Sequence, residues 1–429
     1  MKNKKRYDKN HKVLNKGEYQ RKDGRYNYRW TDSFGKRHAI YAKDLESLRY
    51  KEDKLNIQKL EGIKTPPSGL TVEGLYETWI TLKRGIRTST RSGYIQTFDS
   101  LIRPAIGKKL VITIKRSDIR AFYIWLIEER GIKVSTVENA HTVLHQVFQY
   151  AVDDDILRKN PCERVLREIK LSYNDLKRAK KEALTLKQEI NFLKYLHDTE
   201  RYQRWYPTFF IMANTGMRVG ELTGLRWKDI DLEAETINVN HTLVYYDHKD
   251  EKGCYFSVHT PKTDNGNRLI VMTQAVKEAF LKEKEYQELT GIISRDVIDG
   301  YKGFIFINSS GHVQHQDTLN AAIHRIVNSY NLKILDEDEE NTGDLIPHFS
   351  CHILRHTFAT RMIESGAALK YVQYTMGHSE IQTTMDFYVS VSEEFQRSES
   401  KTYENYIQAA LDPNSPKREP SNVKITKLA

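Results

Sequence analysis

The sequence is poor in the features that build disulfide scaffolds and membrane spans. Only 3 of its 429 residues are cysteines, and Cys162, Cys254 and Cys351 show none of the paired spacings of zinc sites or disulfide frameworks. No apolar run approaches the roughly 18 residues of a membrane-spanning helix. The basic N-terminus is not followed by the apolar stretch of a signal peptide. We therefore expect a reduced, cytoplasmic protein that is neither secreted nor inserted in a membrane.

The chain also lacks an even spread of charge. Its 67 Lys and Arg residues exceed its 57 Asp and Glu residues by +10, and residues 1–60 alone hold 18 bases and 8 acids, so the rest sums to zero. A basic module gains affinity for nucleic acid by releasing bound counterions. A solvated basic tail would have the same composition, so charge alone leaves both interpretations open.

Within the basic segment, residues 25–30 alternate polar and aromatic side chains with the period of a β-strand, between turn signals at 23–24 and 33–35. The polar side chains share one face, and the aromatic ones can pack on the helix that residues 44–60 predict. We expect a three-stranded sheet on a helix, although a plain surface strand is the alternative. The candidate DNA-binding residues on and around its outer face are Lys22, Arg25, Arg29, Lys36 and Arg37.

A Pro- and Gly-rich linker at 62–69 precedes a helical pattern that predicts a bundle of four helices. One helix is expected to end at Gly131. The sequence Ser135-Thr-Val-Glu138 is typical of a capping box, which predicts the start of the next helix.

A larger domain is expected after a charged connector, beginning with a second capping box at Thr185. Residues 236–243, 255–261 and 267–272 are β-rich, and the Asn265-Gly266 pair predicts a hairpin joining the last two. From about residue 317 to 388 the pattern is helical again.

Two strings early in this domain carry cationic side chains. Arg218 follows a glycine-broken turn at a predicted helix start, where an anion is favoured, and Glu221 follows three residues later. Lys262 lies on an arm of the expected hairpin, from which an ammonium group could reach into a cleft. Taken singly, these cations are more typical of a solvated surface.

Two later strings carry histidines. His352 lies three residues before Arg355, so the two share a helical face. Gly377-His378 precedes Tyr388 by ten residues, counted from the histidine. A lone histidine or tyrosine in such a string is more often part of a core than of a site.

Together and in this order, the strings resemble the motifs of the tyrosine recombinases, the phage integrase family. That family has Arg-x-x-Glu, a hairpin lysine, His-x-x-Arg, a Gly-His pair and a tyrosine nine or ten residues later. The resemblance covers about residues 183–395, and residues 70–165 resemble the family's helical core-binding domain. The basic start resembles, less specifically, the arm-binding domain of integrases from conjugative transposons.

The resemblance implies roles for the matching residues. Arg218 and Arg355 would clamp the non-bridging oxygens of a scissile phosphate, with no metal or other cofactor required. Tyr388 would attack phosphorus, His352 would accept its proton, and Lys262 would protonate the leaving 5′-oxygen.

The rest of the matching set would assist this chemistry. His378 would hydrogen-bond a non-bridging oxygen, and Glu221 would orient its neighbours. Phe387 occupies the ninth position after the histidine and has no hydroxyl, which leaves Tyr388 as the candidate nucleophile. Tyr403 and Tyr406 are expected to pack in the tail.

The implied function is a site-specific DNA recombinase of a mobile element, which integrates and excises DNA through a 3′-phosphotyrosyl intermediate. Its expected partners are core and arm sites on duplex DNA, three further copies of the chain in a tetramer, and an excisionase or a host DNA-bending protein. A type IB topoisomerase is one alternative, although relaxation needs no separate basic arm. A non-catalytic DNA-binding regulator is another, although it would be expected to have lost motif residues.

We therefore expect a mainly α fold with small β-sheets, divided into four parts. The predicted parts are residues 1–62, a basic arm-type DNA-binding domain with a three-stranded sheet; 63–175, the helical core-binding bundle; 176–400, the mixed α/β catalytic domain; and 401–429, a tail.

Overall fold

A computed structural model describes residues 6–31, 37–60, 69–173, 182–261, 264–338 and 342–388, with isolated positions at 397, 400, 401, 403 and 404. The chain forms two compact units, Met1–Arg178 with His248–Asp250, and Ala179–Asp247 with Glu251–Ala429. It is mainly α-helical with small antiparallel sheets, so the predicted fold class is confirmed. In the described parts of the chain, no helix is long and apolar enough to cross a membrane.

The first unit opens with short antiparallel strands and a helix. They are β1 (Arg6–Tyr7), β2 (Val13–Leu14), β3 (Glu18–Gln20), β4 (Tyr26–Thr31), β5 (Arg37–Ala42) and α1 (Leu45–Leu60). The strands β3, β4 and β5 form a three-stranded sheet in that order. Tyr26 and Ala42 on the sheet pack against Leu45 and Leu48 on α1. The predicted sheet on a helix is therefore confirmed, with the aromatic face inward.

A helical bundle follows in the same unit. Its helices are α2 (Val72–Leu82), α3 (Thr88–Thr97), α4 (Arg103–Ile106), α5 (Arg116–Glu128), α6 (Val134–Asp153) and α7 (Val165–Ser172). A π-helical segment, Phe98–Ile102, joins α3 to α4, so the four predicted helices are present and α7 adds a short fifth. The capping box predicted at Ser135 is wrong, because α6 begins at Val134 after Lys133 and has no side-chain cap. Val134 packs on the bundle core, which draws the helix start two residues earlier than a cap at Ser135 would place it.

The second unit mixes helices and strands. Its elements are α8 (Leu186–Asp198), α9 (Glu200–Gln203), α10 (Tyr206–Thr215), α11 (Val219–Thr223), β6 (Ile230–Asp231), β7 (Thr236–Val239), β8 (Thr242–Asp247), β9 (Cys254–His259), β10 (Arg268–Val271), α12 (Gln274–Thr290), α13 (Gln316–Glu337), α14 (Cys351–Glu364), α15 (Leu369–Met376) and α16 (Ile381–Tyr388). The predicted cap of α8 is confirmed, since the Gln188 backbone N–H donates to Thr185 Oγ1 at 3.2 Å. The main apolar core of this unit draws on helices and strands alike, and two smaller buried clusters lie around Ala359 and Leu243.

The predicted hairpin around Asn265-Gly266 is wrong. Strand β9 pairs with β8, and β10 pairs with β7 in a sheet of order β10-β7-β6. The hairpin turn favoured by Asn-Gly needs left-handed backbone at both residues, whereas Asp264–Gly266 forms a 3₁₀ turn. Gly266 is packed so closely on Pro261 that an added Cβ would lie 2.4 Å from the proline Cβ. The turn thus sends the chain from one sheet to another.

Three described helices of this unit, α10, α12 and α15, end at left-handed glycines, and two of these glycines are also tightly packed. Gly216 follows α10 with φ of 62°, and Gly377 follows α15 with φ of 62°. A Cβ on Gly216 would lie 2.3 Å from the Phe358 ring, and one on Gly377 would lie 2.9 Å from Arg268 Nη1. Both positions therefore need glycine for conformation and for space.

Candidate active site

Arg355 on α14 lies where the carboxyl ends of α10 and α15 meet. Its Nη1 donates to the Gly216 carbonyl at 2.6 Å, and its Nη2 donates to the Met376 carbonyl at 2.5 Å. The last carbonyls of a helix lack intrahelical partners and carry partial negative charge. They thus hold the guanidinium group of Arg355, a residue that is only 2% exposed. Burial, and then the charge of Arg218, lowers the pKa of Arg355 to about 9, so it stays protonated at neutral pH.

Two further arginines hold the end of α15. Arg268 Nε donates to the Thr375 carbonyl at 2.7 Å, and Arg218 Nη2 donates to the Gly377 carbonyl at 3.4 Å. The Arg268 side chain is fully buried, whereas that of Arg218 is 44% exposed. Of these cations, Arg218 is therefore the one that solvent reaches.

Glu221 joins Arg218 to Arg268. Its carboxylate accepts from Arg268 Nη2 at 2.8 Å, from Arg218 Nη1 at 2.8 Å and from the Arg218 backbone N–H at 2.9 Å. Burial would raise the pKa of Glu221, but the guanidinium group of Arg268, followed by those of Arg218 and Arg355, lowers it to about 2. The carboxylate is therefore ionised, and three guanidinium groups around one carboxylate leave the cluster positive.

His378 extends this cluster toward α16. Its Nε2 lies 3.0 Å from Arg355 Nη2, and its Nδ1 lies 3.0 Å from Thr384 Oγ1. Burial, and then the charge of Arg355, lowers the pKa of His378 to about 3, so the ring is neutral. The structure thus brings Arg218, Glu221, Arg355 and His378 together, as their order in the motif suggested.

Of the three remaining predicted catalytic residues, only His352 has a described side chain. His352 is exposed on α14, and its ring packs edge-on against His356 with centroids 4.7 Å apart. The backbone of Tyr388 ends α16, but its side chain lies outside the description. Lys262 lies outside the described residues altogether.

Two residues of the cluster, Arg268 and Thr384, were not predicted from the sequence. In β10, Arg268 and Ile270 are buried while Leu269 and Val271 are exposed. An arginine at an inward position of an apolar strand was therefore the available signal for Arg268. Nothing in the local sequence distinguishes Thr384 from the exposed Thr383 beside it.

Arg268→Gln is expected to destabilise the second unit by about 3–5 kcal/mol, because it removes one partner of a buried ion pair and leaves the Glu221 carboxylate buried with less compensating charge. Lys277→Gln is the matched control, since it breaks the more exposed pair between Lys277 and Glu235, which is worth about 0–1 kcal/mol. Urea unfolding of both variants measures the difference. Equal midpoints for the two variants would show that Arg268 does not support the cluster.

The predicted nucleic-acid face lies on the sheet of the first unit. Lys22, Arg25, Arg29 and Arg37 are all exposed there or at its edges, and Lys36 lies outside the described residues. A depression of about 500 Å³ on this face is lined by Tyr19, Gln20, Arg21, Lys22, Asp23, Asn27 and Arg29.

Asn27 belongs to the polar residues of the 25–30 alternation, which were expected to be exposed on this face. It is fully buried. With its amide oriented to satisfy both groups, it donates to the Tyr19 carbonyl at 3.1 Å and accepts from Arg29 Nε at 3.0 Å. Arg29 also lies over the Tyr19 ring, 5.4 Å from its centroid. These contacts fix the orientation of Arg29 on the surface.

Comparison with known proteins extends over nearly the whole chain. Residues 182–394 match the model of the phage integrase family, residues 73–168 match the phage integrase central domain, and residues 2–59 match the DNA binding domain of tn916 integrase. The transposase from transposon Tn916 of Enterococcus faecalis is 30% identical over 410 residues, covering 92% of this chain and 96% of that relative. The chain belongs to the phage integrase family. It is a tyrosine recombinase, an enzyme of site-specific DNA recombination.

Further relatives of this recombinase come from other mobile elements. The ICEBs1 integrase of Bacillus subtilis is 28% identical over 261 residues, covering 61% of this chain and 62% of that relative. A solved structure of the Tn1549 transposon integrase in complex with transposon right end DNA is 29% identical in sequence. The match covers 78% of this chain and 99% of that chain, with a TM-score of 0.65. The recombinase therefore resembles integrases of conjugative transposons in sequence and in fold.

Proposed function

We propose that this recombinase binds duplex DNA and cleaves it by attack of Tyr388 on a phosphate held by Arg218 and Arg355. The observation that carries the proposal is the cluster in which Arg218, Arg268 and Arg355 surround Glu221. A cluster with more cations than anions suits an anion, and a phosphodiester gathers further negative charge as phosphorus becomes five-coordinate.

Arg355 keeps donors for such a phosphate. A guanidinium group has five N–H donors, and the protein acceptors described here are the carbonyls of Gly216 and Met376 and the ring of His378. Arg218 presents a half-exposed side chain beside it. Arg218 can therefore bind a non-bridging oxygen with its free N–H groups, and Arg355 can add the Nε–H and the Nη1–H that its protein partners leave unused.

The bond changes follow from the residue types. The Tyr388 oxygen forms a bond to phosphorus as the bond to the 5′-oxygen breaks, which leaves a 3′-phosphotyrosyl link and a 5′-hydroxyl. His352, exposed on the helix that carries Arg355, accepts the phenol proton, and Lys262 supplies a proton to the leaving oxygen. Because the phosphotyrosyl link keeps the energy of the broken bond, the reverse attack by a 5′-hydroxyl rejoins DNA without ATP.

His378 adds to the phosphate site. In the structure its ring is neutral and faces Arg355. A bound phosphate would place negative charge beside the ring and favour its protonated form, which donates from Nε2 to a non-bridging oxygen. Glu221 orients Arg218 in this arrangement and does not touch the substrate.

Several partners belong to the proposal. The solved Tn1549 integrase is bound to transposon end DNA, which supports duplex DNA as the substrate here. We assign arm-site binding to residues 1–62, core-site binding to 63–175 and catalysis to 176–400, ranges supported by the three family matches. Assembly as a tetramer on two sites in the cytoplasm, an excisionase or DNA-bending partner, and a role of the tail in assembly complete the proposal.

Strand exchange between two duplexes that carry the element's ends tests this function. We expect the recombinase to exchange strands in the presence of EDTA, because guanidinium groups supply the charge that stabilises the transition state. Relaxation of supercoiled plasmid without strand exchange would favour a topoisomerase. Strand exchange lost in EDTA and restored by Mg²⁺ would contradict the mechanism.

Arg25→Ala is expected to weaken arm-site binding and to reduce the slope of log affinity against log salt by about 0.9 for each lost phosphate contact. Lys51→Ala removes the same charge from an exposed position on α1 and serves as the control. Fluorescence anisotropy between about 50 and 200 mM salt measures both slopes. Identical slopes for the two variants would mean that the outer face of the sheet does not hold DNA.

A further inference from the structure

A buried hydrogen bond connects the helix of the proposed nucleophile to the arginine cluster. On α16, Thr384 is fully buried, whereas Thr383 and Met385 on either side are exposed. Thr384 Oγ1 lies 3.0 Å from His378 Nδ1. Thr384 and Tyr388 lie four residues apart, and residues with that spacing share one face of a helix.

The donors and acceptors in this connection have one consistent arrangement. Arg355 has only N–H donors, so His378 Nε2 must accept the 3.0 Å hydrogen bond from Arg355 Nη2. A neutral imidazole carries its proton on the other nitrogen. His378 Nδ1–H therefore donates to the Thr384 hydroxyl oxygen, which fixes the tautomer of the ring.

We propose that Thr384 is a positioning residue for recombination, because its hydroxyl, acting through His378, joins the helix that ends at Tyr388 to the guanidinium group of Arg355. The inference rests on the proposed roles of Tyr388 and Arg355. It goes further in assigning the alignment of nucleophile and phosphate site to the hydrogen bond between Thr384 and His378 Nδ1–H. That bond is kept whether His378 Nε2 accepts from Arg355, as in the structure, or donates to a bound phosphate.

Loss of the hydroxyl has a defined consequence. While α16 stays packed beside His378, the His378 Nδ1–H would be buried without an acceptor, which is unfavourable. Release of α16 lets the N–H reach water, so a smaller fraction of the protein holds Tyr388 in position. Cleavage slows in proportion, whereas DNA binding, which needs neither Thr384 nor Tyr388, is kept.

The test compares variants of the full chain on a suicide duplex, in which a nick beside the scissile phosphate lets the short leaving strand diffuse away. Thr384→Val keeps the branched shape and removes the hydroxyl, Thr384→Ala removes it without adding a methyl group, and Thr384→Ser keeps it. Thr383→Val makes the same change at the exposed neighbour. Single-turnover rates of covalent adduct formation and dissociation constants for DNA are measured for all four.

We expect Thr384→Val and Thr384→Ala to slow adduct formation roughly 10- to 100-fold, with DNA affinity changed less than about threefold. Thr384→Ser and Thr383→Val should remain within about threefold of the unaltered protein in both quantities. If Thr384→Val fails to fold, as judged by DNA binding and thermal melting, Thr384→Ala decides the outcome.

Three results would overturn the inference: adduct formation at the normal rate without the hydroxyl, slow adduct formation by Thr384→Ser, or equal slowing by Thr383→Val. These outcomes presuppose that the unaltered protein forms an adduct. An unaltered protein that forms none contradicts the proposed function itself and not this inference alone.

Discussion

Tyr388→Phe is expected to abolish covalent capture of DNA and strand exchange while leaving the affinity for duplex DNA within about threefold. Phenylalanine keeps the ring but has no oxygen to bond to phosphorus, and water is not positioned to replace it. Electrophoresis of denatured protein with a labelled suicide duplex measures the adduct. Tyr403→Phe is the matched control. Tyr403 was expected to pack in the tail but is 67% exposed, so loss of its hydroxyl should leave the rate unchanged.

A double variant sharpens this prediction. Phe387→Tyr combined with Tyr388→Phe moves the hydroxyl by one residue and should not restore cleavage, because one residue turns a side chain by about 100° around the helix axis. Full activity of the double variant would show that either position on α16 can supply the nucleophile. Adduct formation by Tyr388→Phe alone would reject the assignment.

Arg218→Gln is expected to slow cleavage about 10²- to 10³-fold, because it removes a charged donor from the oxygens that gain charge in the transition state. Binding of DNA should change far less, since most of that affinity comes from other phosphates. Single-turnover rates and dissociation constants separate the two effects. Equal losses of rate and affinity would place Arg218 in general DNA binding.

Arg218 is a cleaner site for this test than Arg355. Arg355 is buried and donates to the Gly216 and Met376 carbonyls, so its loss would also disturb the ends of two helices. Arg201→Gln, an exposed arginine on α9, is the control for lost surface charge. Arg218→Lys keeps the charge without the planar pair of donors and should fall between the control and Arg218→Gln.

Local sequence was sufficient wherever one side-chain period or one cap decided the structure. The alternation over residues 25–30 predicted which face of β4 packs on α1, and Thr185 predicted the start of α8. The resemblance to the tyrosine recombinase motifs also grouped Arg218, Glu221, Arg355 and His378, which the structure brings together.

The errors share a physical cause, which is that tertiary contacts override local preference. Asn265-Gly266 favours a hairpin in isolation, but Gly266 packs on Pro261 and the Asn265 side chain donates to the His378 carbonyl at 3.4 Å. Sequence spacing also does not show that Arg268 lies beside Glu221, 47 residues away. The support of the site is therefore less predictable than its motif.

The site combines rigid support with an accessible cation. Helix ends and Glu221 hold Arg355 and Arg268 at buried positions, so these groups need little reorganisation when a phosphate arrives. Arg218 remains half-exposed beside them. This arrangement explains how residues 61–429, which together carry no net charge, can hold a site for a polyanion.

The most direct measurement is the mapping of the covalent adduct formed by the unaltered recombinase on a suicide duplex. After digestion by protease and nuclease, mass spectrometry identifies the modified residue and the nucleotide bonded to it. The account predicts one modified peptide, with Tyr388 joined to a 3′-phosphate. An adduct on another residue, a link to a 5′-phosphate, or cleaved DNA without any adduct would contradict it.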